Sequence, residues 1–150
     1  MAKTAENYLT LTTPDMTSQD MIQVYILRGQ VFSEEQKITE SEADQDDYQA
    51  LHVLLKDGDD LVGYAKILDR GDHQAIGRVL IAKSHRGRGL GRCMLQEVLD
   101  YIGPEKEVRL AAQSYVQGLY LSLGFTKVSD EYLEAGIPHV DMEKGPTVHG

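Results

Sequence analysis

Apolar and polar positions alternate in short blocks separated by turn residues, and the blocks change period along the chain. Residues 7–12 alternate weakly, which predicts a first strand. The segment Pro14-Asp15-Met16-Thr17-Ser18 is a turn containing a helix cap. It opens a predicted helix over about residues 19–32, whose apolar side reads Met21, Ile22, Tyr25, Ile26 and Phe32. The acidic stretch to Asp47 reads as loop or short helix. Residues 51–55 and 61–68 predict two strands, joined by a hairpin turn at Asp57-Gly58-Asp59-Asp60. A third strand, 75–82, is rich in branched aliphatics. Helical periodicity then runs through Leu90, Met94, Val98 and Tyr101 to a stop at Gly103-Pro104. Residues 108–112 read as a short strand apolar on both faces, and so central in its sheet. A helix over 115–123 ends at Gly124, and strands at 125–129 and 139–143 close the chain. This order predicts a mixed α+β arrangement around one sheet.

With 150 residues the chain is expected to form one domain, residues 1–150, large enough to bury a core without staples. Its single cysteine, Cys93, excludes an intramolecular disulfide and any cysteine-cluster metal site, and suits a cytoplasmic setting. Cys93 itself reads as a buried small hydrophobe. No apolar run is long enough for a membrane span, and the first residues lack the apolar core of a signal peptide. The five histidines show no metal-ligand spacing, so no metal is expected. A net charge of −9 argues against nucleic acid as a partner, and no membrane partner is expected.

The charge is unevenly spread. Residues 34–60 carry −8, leaving −1 for the rest, whereas residues 73–96 hold no acid but contain Arg78, Lys83, Arg86, Arg88 and Arg92. Within the basic stretch lies Arg86-Gly87-Arg88-Gly89-Leu90-Gly91, between a predicted strand and a predicted helix. Glycines at such a turn let the backbone approach an anion, the helix start offers free N–H groups, and the arginines, Arg92 included, suit phosphate. The segment lacks the Gly-Lys-Ser/Thr ending of a P-loop. Its spacing, G-x-G-x-G, is also wrong for a dinucleotide fold.

Arg86, Gly89 and Gly91, read as Arg-x-x-Gly-x-Gly, resemble the acyl-CoA signature of the GNAT family of N-acetyltransferases. Three further stretches extend the likeness: Ala111-Ala112-Gln113; residues 118–125, with a tyrosine followed by Gly-Phe; and residues 132–139. The early stretch 27–36 is similar to the ElaA/YjcF-type subgroup, as is 132–139. The resemblance implies a central mixed, mostly antiparallel sheet of about six to seven strands flanked by helices, splayed between strands 75–82 and 108–112. It also implies an acetyl-CoA-dependent N-acetyltransferase that moves an acetyl group to a primary amine by direct attack in a ternary complex. The alternative is a catalytically inactive CoA-binding sensor or interaction module.

By the same resemblance, Val79, Leu80 and Ile81 would face the pantetheine arm, and Leu80 or Val79 could offer an oxyanion donor. Arg86, Gly87, Arg88, Gly89, Leu90, Gly91 and Arg92 would hold the pyrophosphate, with Ser114 a weaker cofactor contact. Tyr120 would protonate the departing thiolate. The general base is open among Glu35, His52, His139 or a water held by them, with His139 and Glu35 put forward and His52 read as structural. Arg78 could bind a carboxylate or the substrate, or face solvent. The acceptor is expected to be a small-molecule or peptide amine, drawn if cationic by the 34–60 segment. A homodimer is left open.

Overall fold

The computed structural model describes residues 6–35 and 45–146, with the backbone alone at 6 and 33–35. Eight strands form one sheet: β1 (Glu6–Thr12), β2 (Leu51–Asp57), β3 (Asp60–Asp69), β4 (Gln74–Ile81), β5 (Val108–Gln113), β6 (Thr126–Lys127), β7 (Tyr132–Glu134) and β8 (Ile137–Lys144). The sheet order is β1-β2-β3-β4-β5-β8-β6, and β7 also pairs with β8. All pairings are antiparallel except that of β4 with β5. The helices are α1 (Ser18–Arg28), α2 (Leu90–Ile102) and α3 (Gln117–Ser122). The expected mixed, mostly antiparallel sheet with flanking helices is thus present, with β7 as a strand the periodicity did not reveal. It is only three residues long, and a tight turn at Ala135-Gly136, both at positive φ, returns it to β8.

Strand alternation divides the core between the two faces of the sheet. Val53, Leu55, Ala65, Ile67, Ile76, Leu110, Ala112, Val140 and Met142 face α2 and α3. Leu54, Tyr64 and Leu80 face α1, meeting Val24, Leu27, Val31 and Phe32. The apolar side expected of α1 is therefore corrected: Ile22 and Ile26 are exposed, at 60% and 55%. Two apolar stripes compete on this helix, and the spacing Val24-Leu27-Val31 is the one the sheet selects. Thr17 caps α1 reciprocally with Asp20. Beyond Arg28 the helix loosens into wider π-type turns over Gly29–Glu35. In α2, Met94, Leu95 and Val98 are buried, whereas Tyr101 and Cys93 are exposed. Cys93 sits one position off the buried stripe, which corrects its expected burial.

A charged cluster pins α1 to the sheet. Arg28 is fully buried, and its Nη1 lies 3.2 Å from both carboxylate oxygens of Asp47. Lys66 Nζ reaches Asp47 Oδ1 at 3.2 Å, and the Tyr25 hydroxyl donates to Asp47 Oδ2 at 2.7 Å. His52 joins the cluster: the Tyr64 hydroxyl reaches its Nδ1 at 2.6 Å, and its Nε2 meets Thr13 Oγ1 at 2.8 Å. Because the Thr13 hydroxyl donates to the Asp47 carbonyl, the compatible ring carries its proton on Nε2. Burial alone would raise the Asp47 pKa, but the Tyr25 hydroxyl, Arg28 and Lys66 outweigh it and lower the value to about 2. Burial lowers the His52 pKa.

Removing the acid would leave two buried cations facing each other. Asp47→Ala should cost about 3–5 kcal/mol of unfolding free energy in urea melts, the range for breaking a buried pair. Asp46→Ala, which removes the exposed 2.9 Å pair with Arg70, should cost under about 1 kcal/mol. Both depressed pKa values make acid destabilising. The His52 contribution is lost as pH falls below the ordinary histidine value of 6.5, where only the unfolded chain takes the proton. The Asp47 contribution is lost between 3.8 and about 2. Urea melts across that pH range check the two steps.

Candidate functional site

The parallel strands β4 and β5 share only two paired positions, Gln74 with Val108 and Ala75 with Arg109, before they part. From residue 76 onward β4 has β3 on one edge and a gap on the other. Ala82 N–H donates to the Val62 carbonyl at 2.7 Å. Alternation therefore turns the Ile81 and Val79 backbone groups toward the gap. Leu80 pairs with Tyr64 and buries its side chain among the α1 cluster. A register shift between Tyr64 and Lys66 marks a β-bulge in β4, where Arg78 and Val79 stand opposite Ala65, and the Arg78 φ of 52° is unusual for a side-chain-bearing residue. The Arg78 guanidinium lies over the Phe32 ring at 5.5 Å. The Lys66 stem crosses Gly77, where a Cβ would meet Lys66 Cε at 3.6 Å. The buried charge cluster thus reaches the point where β4 bends away.

At the far end of the gap the chain turns into α2. Gly87 and Gly89 have φ of 82° and 74°, left-handed conformations that glycine adopts without strain. The first helical bond is Cys93 N–H to the Gly89 carbonyl at 3.1 Å, so the amides of Leu90, Gly91 and Arg92 are helix-end donors with no i−4 carbonyl. Arg86, Arg88 and Arg92 are exposed around them. Arg86 Nε donates to the Ile81 carbonyl at 3.0 Å, at the mouth of the gap, and Arg92 reaches the Ser122 carbonyl at 3.5 Å. His85 Nε2 lies 2.9 Å from Asp57 Oδ2, tying this turn to the β2–β3 hairpin. Gly91 packs against β4, since a Cβ there would touch Ile81 Cγ1 at 3.7 Å.

On the β5 side, Ser114 does not cap α3, and its hydroxyl oxygen is buried without a hydrogen-bond partner. Tyr120 is 6% exposed, with its ring edge-on to Phe125 at 5.7 Å. Burial, and then Tyr115, push its pKa up to about 12. His139 pairs with Gln113 across β8 and β5, at the open end of the fork. Its Nδ1 donates to the Ile137 carbonyl at 2.7 Å, which places the lone pair of the neutral ring on Nε2, 3.7 Å from Glu134 Oε2. The Tyr132 ring stacks on it at 6.2 Å. The Glu35 side chain lies outside the described residues, as does part of the acidic 34–60 segment. His52 is enclosed in the buried cluster and hydrogen-bonded at both nitrogens. Among the described residues no group of three His, Cys, Asp or Glu is placed to hold a metal, and no helix is long and apolar enough to cross a membrane.

Sequence patterning did not single out the Arg28–Asp47–Lys66 cluster. Its available signal was two cations inside otherwise apolar stretches, since Arg28 lies in a helix and Lys66 in a strand with buried neighbours. Nor is β5 apolar on both faces: Arg109 is half-exposed and paired with Glu107 at 2.9 Å and Glu143 at 3.3 Å.

A parted parallel pair leading to a glycine-rich turn at a helix start is the geometry of an acyl-CoA transferase fold. The family model of the Acetyltransferase (GNAT) domain matches residues 12–145. A UPF0039 protein of Schizosaccharomyces pombe is 38% identical over 130 residues, covering 83% of this chain and 87% of that protein. Protein ElaA of Escherichia coli is 36% identical over 126 residues, covering 79% of this chain and 82% of its own. The crystal structure of ElaA superposes with a TM-score of 0.86 at 31% identity, over 93% of this chain and 99% of that one. An acyl-CoA N-acyltransferase from Pseudomonas aeruginosa also superposes at 0.86, with 28% identity and the same shares covered. The chain belongs to the GNAT family of acetyltransferases.

The buried Tyr120 phenol should stay protonated through the range where ordinary tyrosines ionise, near pH 10. Absorbance titration at 295 nm should therefore show the same amplitude near pH 10 in wild type and Tyr120→Phe, the two separating only near pH 12. Loss of one tyrosine's amplitude near pH 10 would show an exposed phenol instead.

Proposed function

We propose that the chain transfers an acetyl group from acetyl-CoA to a primary amine by direct attack in a ternary complex. The observation that carries this reading is the parting of β4 from β5 after two paired positions, with Val79 and Ile81 turned into the gap and the glycine turn at its end. The Val79 and Ile81 backbone would pair with the pantetheine arm. The amides from Gly87 to Arg92 would take the pyrophosphate, with Arg86, Arg88 and Arg92 supplying charge. Ser114, with its buried unpartnered hydroxyl, would make a further contact. The Val79 N–H faces the gap and suits an oxyanion better than that of Leu80, which belongs to the β3 ladder. The single cysteine fits a cytoplasmic setting.

The proton balance assigns Tyr120 a specific role. Burial holds the Tyr120 phenol protonated well above neutral pH, so its O–H is available to the leaving sulfur as a hydrogen-bond donor. The proton that finally rests on sulfur comes from the nitrogen that becomes the amide. His139, with its lone pair on Nε2 at the open end of the fork, supports the reading that it passes that proton on. Glu35 is the other carrier proposed, on the resemblance alone. A cationic acceptor fits the acidic balance of residues 34–60.

Two measurements test this reading. A Cβ at Gly89 meets no neighbour within 4 Å, but Gly89→Val must hold a φ of 74°. It should lose about 1–2 kcal/mol of stability and fold, yet show no thermal stabilisation by CoA. Wild-type CoA affinity in the folded variant would remove the phosphate assignment. Tyr120→Phe should lower kcat roughly tenfold to 150-fold, the range for a hydrogen bond to a charged atom of roughly 1.5–3 kcal/mol, with CoA affinity unchanged. A wild-type rate for the chemical step would make Tyr120 a packing residue only.

A further inference from the structure

On the face of the sheet away from α2, the closed end of the fork bounds an open pocket of about 500 Å3, in which Ala111, Val128 and Asp141 are solvent-exposed. Alternation accounts for its lining. Leu110, Ala112, Val140 and Met142 enter the core, so Arg109, Ala111, Asp141 and Glu143 point to the other face. Ala75, the last β4 residue paired with β5, joins Ala111 and Val128 as the apolar part of the wall.

The charges in this wall are not balanced. Arg109 is shared between Glu107 at 2.9 Å and Glu143 at 3.3 Å. Asp141 accepts the Tyr132 hydroxyl at 2.5 Å, and among the described residues no lysine or arginine lies within 4.0 Å of its carboxylate. Tyr132 holds its proton against this contact, because burial and Asp141 both raise its pKa.

Position and chemistry together select an occupant. A donor lying along β4 from the glycine turn, with its carbonyl at the Val79 N–H, would point its acyl end down the fork toward Ala75 and this cavity. A longer acyl tail would have to cover Asp141 with hydrocarbon, stripping water from a charge whose partner is the neutral Tyr132 hydroxyl. An amine with a second, protonated nitrogen offers what the wall lacks: a cation for Asp141 and methylenes for Ala75, Ala111 and Val128. The two nitrogens then have separate tasks, since the attacking one must be neutral while the held one is charged.

We propose that this cavity is the acceptor subsite and that it takes a primary amine bearing a second ammonium group, held by Asp141. The proposal rests on the acetyl-transfer reading above. Calorimetric titration of wild type and Asp141→Asn with 1,4-diaminobutane and n-butylamine, each in the presence of CoA, tests it. Asparagine keeps an oxygen for the Tyr132 hydroxyl and removes only the charge. The diamine should bind wild type at least tenfold more tightly than the monoamine, and Asp141→Asn should abolish that preference. Equal affinities for the two amines in wild type, or a diamine preference unchanged in Asp141→Asn, would overturn the subsite while CoA stabilisation stays intact. Absence of CoA stabilisation in wild type would instead overturn the transferase reading, and the subsite with it.

Discussion

Every feature of the site depends on two parallel strands that cannot stay paired. β4 and β5 share two positions at their N-terminal ends, and beyond these β4 stays paired with β3 and β5 with β8, while Arg86 meets the Ile81 carbonyl at the mouth of the gap. Backbone donors and acceptors at a parted edge are costly unless water or a ligand meets them. The parted edge therefore suits an extended, amide-bearing partner, the role proposed above for the pantetheine arm. The bulge at Arg78 belongs to the same constraint. It puts one extra residue into β4 just past the last pair with β5, and the bulged strand bends away.

The charged cluster under α1 steadies this arrangement from the other face. Hydrophobic contacts alone would let α1 slide along the sheet, because Ile22 and Ile26 offer a second apolar stripe. Arg28, Asp47 and Lys66 remove that freedom, since any slide would expose unmatched buried charge. Such clusters add little net stability compared with apolar packing, and a positional role is their best-attested use. Here the pinned parts include the π-type turns of Gly29–Glu35, whose Phe32 meets Arg78 on the bulge.

Local chemistry was legible from the sequence wherever it is decided locally. Gly58, Gly103 and Gly124 all adopt positive φ at the hairpin and helix ends where they were expected. The glycine-arginine turn lies between a strand and a helix, as its composition required. The likeness to the GNAT family supplied what periodicity could not, namely the splay between two particular strands. Long-range choices were not legible. Which stripe of α1 faces the sheet depends on Asp47, 19 residues beyond Arg28. Cys93 is exposed because Met94, Leu95 and Val98 take the inward side of α2. The acidic stretch looked like one solvated run, yet Asp47 is buried, while Asp46 and Asp57 pair with Arg70 and His85. The cavity at the fork combines side chains from β4, β5 and β8, which only the sheet order brings together.

Amide hydrogen exchange with and without acetyl-CoA tests the central claim most directly. If the parted edge and the helix start receive the cofactor, the amides of Val79 and Ile81 and those of Leu90, Gly91 and Arg92 should slow together, while amides already paired between β3 and β4 change little. Protection at neither stretch, or confined to a surface remote from the fork, would contradict a cofactor site built on the parting of β4 from β5.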